Sequence, residues 1–422
     1  MSQIPSIHFV RDQLENGLDV ILCPDRRVPL VFLAVYYRVG SSYEKPGRSG
    51  FAHLFEHMMF QGSENVAKNE HGRYVDSAGG RWNATTSKDR TNYFETLPSH
   101  YLDLGLWLEA DRMRSLRVTE ENFENQRQTV IEEKKQTYDN RPYGSAYLLF
   151  DQLAYQNWAY GHSIIGSVED LRKATLQDAI VFHRTYYRPD NATLVLAGDI
   201  DEGAALKKIE TFFGSSSRPN PPPPPDLTEP EQKEEKRQCI QDPLAALAAV
   251  SVGYHLPHLG SPDHYALAML SLVLAHGDSS RLYRKLVYDN NWVTSLSAGT
   301  NLYKGPQLFR LWLQIQEGVE VQQVLGTLNE QLLRFQEELV SEKELEKARN
   351  QVLFRYVTGR STVADIGQAL ARYAVLYEDP DMINQEARRY LAVSREAIRD
   401  AAARTFRPEN RTAIVVEPVK KP

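Results

Sequence analysis

His53 and His57 stand four residues apart with Glu56 between them, in the run Gly50-Phe51-Ala52-His53-Leu54-Phe55-Glu56-His57-Met58-Met59-Phe60. On a helix the two imidazoles share one face, and the Glu56 carboxylate lies on its neighbouring edge. Two neutral imidazoles can hold one zinc ion, and a carboxylate beside them can take a proton from zinc-bound water. The order H-x-x-E-H is the reverse of the commoner zinc-peptidase arrangement. These residue types at this spacing predict hydrolysis of a peptide bond, with Glu56 as general base.

A catalytic zinc site takes three protein ligands and leaves one position open. The third ligand has to come from another element. The run Arg127-Gln128-Thr129-Val130-Ile131-Glu132-Glu133-Lys134 offers two carboxylates on a long predicted helix that follows Thr119. Helical spacing alone does not choose between Glu132 and Glu133.

The elements that position these groups come in two similar sets. Helical patterns at Leu176 to Tyr186 and Ser394 to Thr405 each run into a turn (Arg188-Pro189-Asp190-Asn191; Arg407-Pro408-Glu409-Asn410) and then a β-branched strand. The starts also match, Val28-Pro29-Leu30-Val31 against Asp242-Pro243-Leu244-Ala245. Between the sets lie Gly214-Ser215-Ser216-Ser217-Arg218-Pro219-Asn220 and Pro221 to Pro225, a proline tract that favours an extended linker. The predicted division is residues 1–217 as a metal-binding domain, 218–241 as the linker and 242–422 as a homologous metal-free domain. The predicted class is α+β: two homologous α/β-sandwich domains, each a mixed or antiparallel sheet with helices, from an internal duplication. Aligning Gly62 with Gly277 sets Ala268, Ser271 and Leu272 against His53, Glu56 and His57. The second copy keeps the apolar helix without any metal-competent group, so the fold does not require those polar side chains.

Composition narrows the function. The 422 residues carry 49 basic and 55 acidic side chains, a net charge of -6 that argues against a nucleic-acid surface. Cys23 and Cys239 are the only cysteines, too few and too isolated for a disulfide framework or a thiolate metal site. No apolar run reaches membrane-spanning length. The sequence as given reads as soluble and cytoplasmic, or as periplasmic if an export signal has been removed.

Gly79-Gly80 followed by Arg81-Trp82-Asn83-Ala84-Thr85-Thr86-Ser87 suits a tight turn and an extended segment. An exposed strand edge can take up a peptide through main-chain hydrogen bonds without demanding one sequence.

With these motifs the chain resembles the pitrilysin, or insulinase, family of inverted-zincin metallopeptidases, and within it the subgroup built like mitochondrial processing peptidase and its bacterial relatives. The resemblance spans nearly the whole chain and is strongest from Asn16 to Asp199. It implies one zinc ion per chain on His53, His57 and Glu133, with Glu56 as base. It implies that the segment after Gly80 is a substrate-binding edge strand, with Asn83 and Ala84 touching peptide and Tyr93 or Phe94 beside the site, all four counted as substrate-binding residues. The stretch Gly161-His162-Ser163-Ile164-Ile165-Gly166-Ser167 also looks like the family, and His162 is assigned no catalytic role.

Two departures from the family pattern carry consequences. Active relatives place an Arg and a Tyr seven positions apart in the second half, where they donate hydrogen bonds to the substrate carbonyl and the developing oxyanion. In the register set by Gly277-Asp278-Ser279-Ser280-Arg281-Leu282 those positions hold Val287 and Thr294, which cannot do so. Arg281 and Tyr288 have the right separation but lie six residues out of register. Gln126 stands where relatives often carry a further Glu, seven residues before the third ligand. The resemblance therefore implies a zinc-bearing subunit completed by a zinc-less homologous subunit, a heterodimer, with a homodimer as the variant. The competing reading is a catalytically silent structural or assembly subunit. A simple metal carrier leaves Glu56 unexplained.

Overall fold

The β-branched and aromatic runs form strands, and alternation along each strand decides which face a residue covers. In the computed structural model, which describes residues 5–215 and 220–419, the strands build two sheets. The first contains β1 (Val10–Gln13), β2 (Asp19–Pro24), β3 (Leu30–Tyr37), β4 (Arg81–Thr86), β5 (Thr91–Pro98) and β6 (Ala192–Gly198), in the order β1-β2-β6-β3-β5-β4. The second contains β7 (Lys236–Asp242), β8 (Ala249–Leu256), β9 (Val293–Thr300), β10 (Gln307–Ile315) and β11 (Arg411–Pro418), in the order β7-β11-β8-β10-β9. Each sheet has one parallel pair, β2 with β6 and β7 with β11, and is otherwise antiparallel. The five-strand order of the second sheet repeats β2-β6-β3-β5-β4 of the first, as a duplicated chain requires.

The helices that matter for the site are α1 (Phe51–Met58), α2 (Glu70–Ser77), α3 (Leu102–Ser115), α4 (Glu120–Lys134), α5 (Gly144–Ala154), α6 (Leu176–Tyr186), α7 (Pro262–Ala275), α8 (Glu342–Thr358), α9 (Val363–Leu376) and α10 (Arg395–Thr405). They cover both faces of each sheet, which is why β3 reads as a nearly continuous apolar run rather than an alternating one. Phe32, Ala34 and Tyr36 pack with α9, together with Ile21, Cys23, Val195 and Ala197. The opposite face meets α1 and α3. In the second sheet Ala249, Leu308, Ile414 and Val416 pack with Ala146, Phe150 and Ala154 of α5. Val250, Val252, Phe309, Leu311 and Val415 face α7 and α10.

The chain divides into two structural units that interleave along the sequence. One comprises Met1–Glu132, Ser163–Asp226 and Val357–Gln385, and the other Glu133–His162, Leu227–Tyr356 and Glu386–Pro422. These units cut across the sequence division at 1–217, 218–241 and 242–422. The reason is physical: an apolar helix stripe says that a helix is buried, not which sheet buries it. Thus α5, from the first half, packs on the second sheet, and α9, from the second half, packs on the first. Residues 216–219, at the junction of the predicted first domain and linker, lie outside the described residues. The end of the predicted linker is sheet: Lys236–Asp242 is β7, running parallel to β11.

Candidate metal centre

Helix α1 buries Phe51, Leu54, Phe55 and Met58, an i, i+3, i+4, i+7 stripe, and leaves His53, Glu56 and His57 half-buried on the other side. Phe55 stacks on Phe182 at 5.1 Å and lies 5.4 Å from Tyr187, which fixes the rotation of the helix and so the direction of the polar stripe. Its N-cap residue, Gly50, has φ of 90° and no side chain with which to cap. The cap comes from upstream: the Glu44 carboxylate accepts from Gly50 N–H at 2.8 Å and Ala52 N–H at 2.7 Å. A buried anion there also meets the positive end of the helix dipole. A Cβ on Gly166 would stand 2.5 Å from Gly50 Cα, so the Ser163–Ser167 loop closes on the helix start backbone to backbone. The family-like stretch at 161–167 has its use here. His162, by contrast, stacks on Trp158 at 3.7 Å, with Nδ1 2.6 Å from the Trp158 carbonyl, a structural arrangement.

The His53 and His57 rings lie 5.0 Å apart, nearly perpendicular at 83°. Glu133 completes a group: one ligand atom from each of His53, His57 and Glu133 lies within 4.8 Å of the others. The boundary between the structural units falls inside α4, between Glu132 and Glu133. The preceding turns of α4 belong with α1 and dock directly after it. Asn122 Nδ2 donates to the Gln61 carbonyl at 3.0 Å, and Arg127 donates to the Ala174 carbonyl at 2.9 Å. Helical rotation then brings Glu133 to the histidines and leaves Glu132 exposed. Immediately beyond, Lys135–Asp139 widens into a π-helical turn, a feature that often accompanies functional sites.

Donors about 2.0–2.2 Å from one ion stand at most about 4.4 Å apart. A group already within 4.8 Å therefore fits zinc with small side-chain adjustments. Two imidazoles and one carboxylate, all half-buried, are a borderline-soft donor set that suits zinc and leaves room for a fourth position. Gln126 is buried on α4, and its side-chain amide donates to Asn125 Oδ1 at 2.8 Å.

β4 is the edge strand of its sheet and lies against α1. Asn83 is exposed and Ala84 is 7% exposed; they pair with Phe94 and Tyr93 of β5. Direct peptide contact at Tyr93 is corrected by the structure: its ring has 0% exposure and its hydroxyl donates to the Phe55 carbonyl of α1 at 2.9 Å. Tyr93 supports the metal helix from below. Phe94 points to the opposite face, where it packs with Phe32 at 6.0 Å in the layer covered by α9. Pleating separates the pair: neighbours on a strand point to opposite faces, so Tyr93 and Phe94 cannot both serve the site.

In the second copy, α7 is a core helix. Ser271 and Leu272 are buried there, and the Ser271 hydroxyl is turned to the Ala268 carbonyl at 2.7 Å. Arg281 donates twice to Glu344 of α8, at 2.7 and 3.0 Å, and its guanidinium lies over Phe335 at 4.4 Å. Tyr288 is 79% exposed. Thr294 is exposed on β9, its hydroxyl 3.3 Å from the Gln314 carbonyl. The residue that sequence reading missed is Glu44. The available signal was Gly50, a helix start without a capping side chain, which makes an upstream acceptor necessary.

Fold and site together define a duplicated α/β protein whose first half brings two histidines and a glutamate to the spacing of a metal site. Residues 20–167 match the family model described as insulinase (peptidase family M16), and residues 173–352 match the one described as peptidase M16 inactive domain. The chain belongs to the insulinase family, peptidase family M16. It is similar to the zinc protease PqqE of Helicobacter pylori, 29% identical over 416 residues that cover 96% of this chain and 92% of that relative. It is also similar to the mitochondrial-processing peptidase subunit beta of Bos taurus, 23% identical over 420 residues, 97% of this chain and 84% of that one. The crystal structure of a protease from Helicobacter pylori superposes with a TM-score of 0.94 at 27% identity, covering 98% of this chain and 100% of that one.

Proposed function

We propose that this protein is a zinc-dependent metalloendopeptidase that hydrolyses peptides or unfolded segments in a chamber. The observation that carries the reading is the convergence within 4.8 Å of Glu133, from α4, with His53 and His57, from the helix that also presents Glu56. His53, His57 and Glu133 hold one zinc ion per chain. When bound, zinc supplies a Lewis acid for the scissile carbonyl and acidifies the attacking water. Glu56 takes the proton from that water and delivers it to the leaving amine. The β4 edge holds an extended substrate by main-chain hydrogen bonds beside Asn83 and Ala84. In the sequence division, 1–217 carries the chemistry, 218–241 connects, and 242–422 is the metal-free copy.

The chain acts as the zinc-bearing member of a pair, in the manner of the subgroup built like mitochondrial processing peptidase. Arg281 is engaged with Glu344 and Phe335, and Val287 offers no donor, which supports an oxyanion site completed by a zinc-less homologous subunit. Peptides are the substrates; nucleic acid and membrane are not partners. Among the described residues no helix is long and apolar enough to cross a membrane. The test is cleavage of an unstructured peptide by purified zinc-loaded chain, with and without the homologous subunit and with Glu56→Gln as control. Activity that needs zinc and Glu56 supports the reading. Equal cleavage by Glu56→Gln removes it.

A further inference from the structure

Beneath the metal helix lies a second group of ionisable side chains that the proposed reaction does not use. His71 of α2, Glu95 of β5, and Glu109 and Arg112 of α3 are 4%, 1%, 0% and 3% exposed. Ligand-competent atoms of His71, Glu95 and Glu109 lie within 4.8 Å of one another. Arg112 is committed to Glu109: its Nε donates to Oε2 at 3.0 Å, and a terminal nitrogen reaches Oε1. Glu95 has no such partner. Its Oε2 lies 3.5 Å from His71 Nε2, and neither of its oxygens accepts a hydrogen bond. Gly105 of α3 makes room for it, because a Cβ there would stand 2.7 Å from Glu95 Oε1.

One guanidinium faces two carboxyl groups, so with neutral His71 the cluster is one positive charge short. A divalent cation would overshoot, leaving a net positive charge beside Arg112 in a dry interior. A proton balances the group. On His71 it would create an imidazolium next to Arg112 and leave Glu95 an ionised carboxylate whose nearest donor, Nε2 at 3.5 Å, stands well beyond the length of a charge-assisted hydrogen bond, a costly state when buried. On Glu95 it leaves both His71 and Glu95 neutral. We infer that Glu95 is a neutral carboxylic acid in the native protein, and that the Glu95–His71–Glu109–Arg112 cluster is a platform that positions the metal helix. The link to α1 is Arg112, whose guanidinium lies 4.4 Å from the Tyr93 ring and 5.0 Å from the Phe60 ring. Tyr93 holds the Phe55 carbonyl, and Phe60 follows α1 in the chain. The ionisable groups facing the cluster from neighbouring strands are Tyr37 and Tyr93, both buried phenols whose burial keeps them neutral. Burial, reinforced by Glu109, holds the Glu95 carboxyl well above the usual carboxylate range, and burial with Arg112 holds His71 well below its own.

The positioning role rests on the reading of α1 as the metal helix; the proton assignment does not. The test uses the full chain. At neutral pH the infrared spectrum of the wild type shows a protonated-carboxyl band that Glu95→Gln abolishes; Glu95→Gln melts with the wild type below pH 4.5 and above it at neutral pH, and keeps its zinc. Glu109→Gln strands Arg112 and melts several degrees lower. Gly105→Ala, which alters no ionisable group, shifts the carboxyl band by crowding Glu95. The pH dependence has a definite sign. A raised native pKa means that Glu95's contribution is fully present below 4.5 and fades as pH climbs towards the native value, so Glu95→Gln gains on the wild type as pH rises. Absence of the band in the wild type, a Glu95→Gln melting loss as large as that of Glu109→Gln, or a second zinc equivalent lost in Glu95→Gln would each overturn the assignment. Zinc retention against a chelator reads the positioning role, with Glu109→Gln weaker and Glu95→Gln unchanged; equal retention by both removes that role. Band and melting curve need neither metal nor substrate, so they decide the proton assignment whether or not the chain cleaves peptides.

Discussion

Glu56 and Glu133 carry the same functional group and are expected to fail in different ways. Glu56→Gln keeps shape and both histidines, so zinc content stays at one per chain while cleavage falls by about 10²–10⁴-fold or more. Glu133→Gln removes an anionic ligand, so metal content and turnover fall together. Metal analysis beside a peptide-cleavage assay separates the two, and chelation followed by zinc addition restores the wild type. At this scale much of the site was legible. Two imidazoles and a carboxylate at helical spacing announce their shared face. Glu133 over Glu132 was not legible from spacing, because the choice depends on how α4 docks through Asn122 and Arg127. Tyr93 was misplaced as a peptide contact because its neighbour Phe94 looks equivalent in sequence and faces the other way.

Helix α1 owes its start to a residue outside it. Replacing Glu44 by Ala leaves the Gly50 and Ala52 N–H groups without their acceptor and is expected to cost roughly 0.5–2 kcal/mol, the range for a lost N-terminal cap. Thermal unfolding reads the loss, and chelator competition shows zinc retained less well because the helix that orients both histidines frays. In the second unit, Arg281 and the Ser341 N–H and hydroxyl hold the Glu344 carboxyl down to about 2. Its native pKa is lowered, so the contribution is present above the unfolded value of 4.5 and is lost as pH falls towards 2. Glu344→Gln should therefore destabilise at pH 7 and match the wild type in strong acid, as followed by unfolding curves across that window. Strands and amphipathic helices were legible from their periods, and so was the duplication. The sheet that each helix covers was not, since α5 and α9 carry the apolar stripe of any buried helix and their partners lie far along the chain.

At the scale of the molecule, the first half carries the His53, His57 and Glu133 group, and the second half keeps the fold with Ala268, Ser271 and Leu272 in the positions of His53, Glu56 and His57. If the oxyanion donors come from a homologous subunit, the zinc-loaded chain alone turns over about 10²–10³-fold more slowly than the pair, the usual cost of a missing donor. Titrating the subunit into a cleavage assay and weighing the complex by light scattering checks both rate and stoichiometry. Full activity from the isolated chain would remove the partner from the account. The interleaving of the units has a further consequence for how this chain can be taken apart. Each sheet is roofed on one face by a helix from the opposite half of the polypeptide, α9 over the first and α5 over the second. A fragment stopping at residue 217 would expose the naked aliphatic wall of its sheet and aggregate, whereas a protease nick in the tract Pro221 to Pro225 would leave two pieces clasped together, inseparable until denatured.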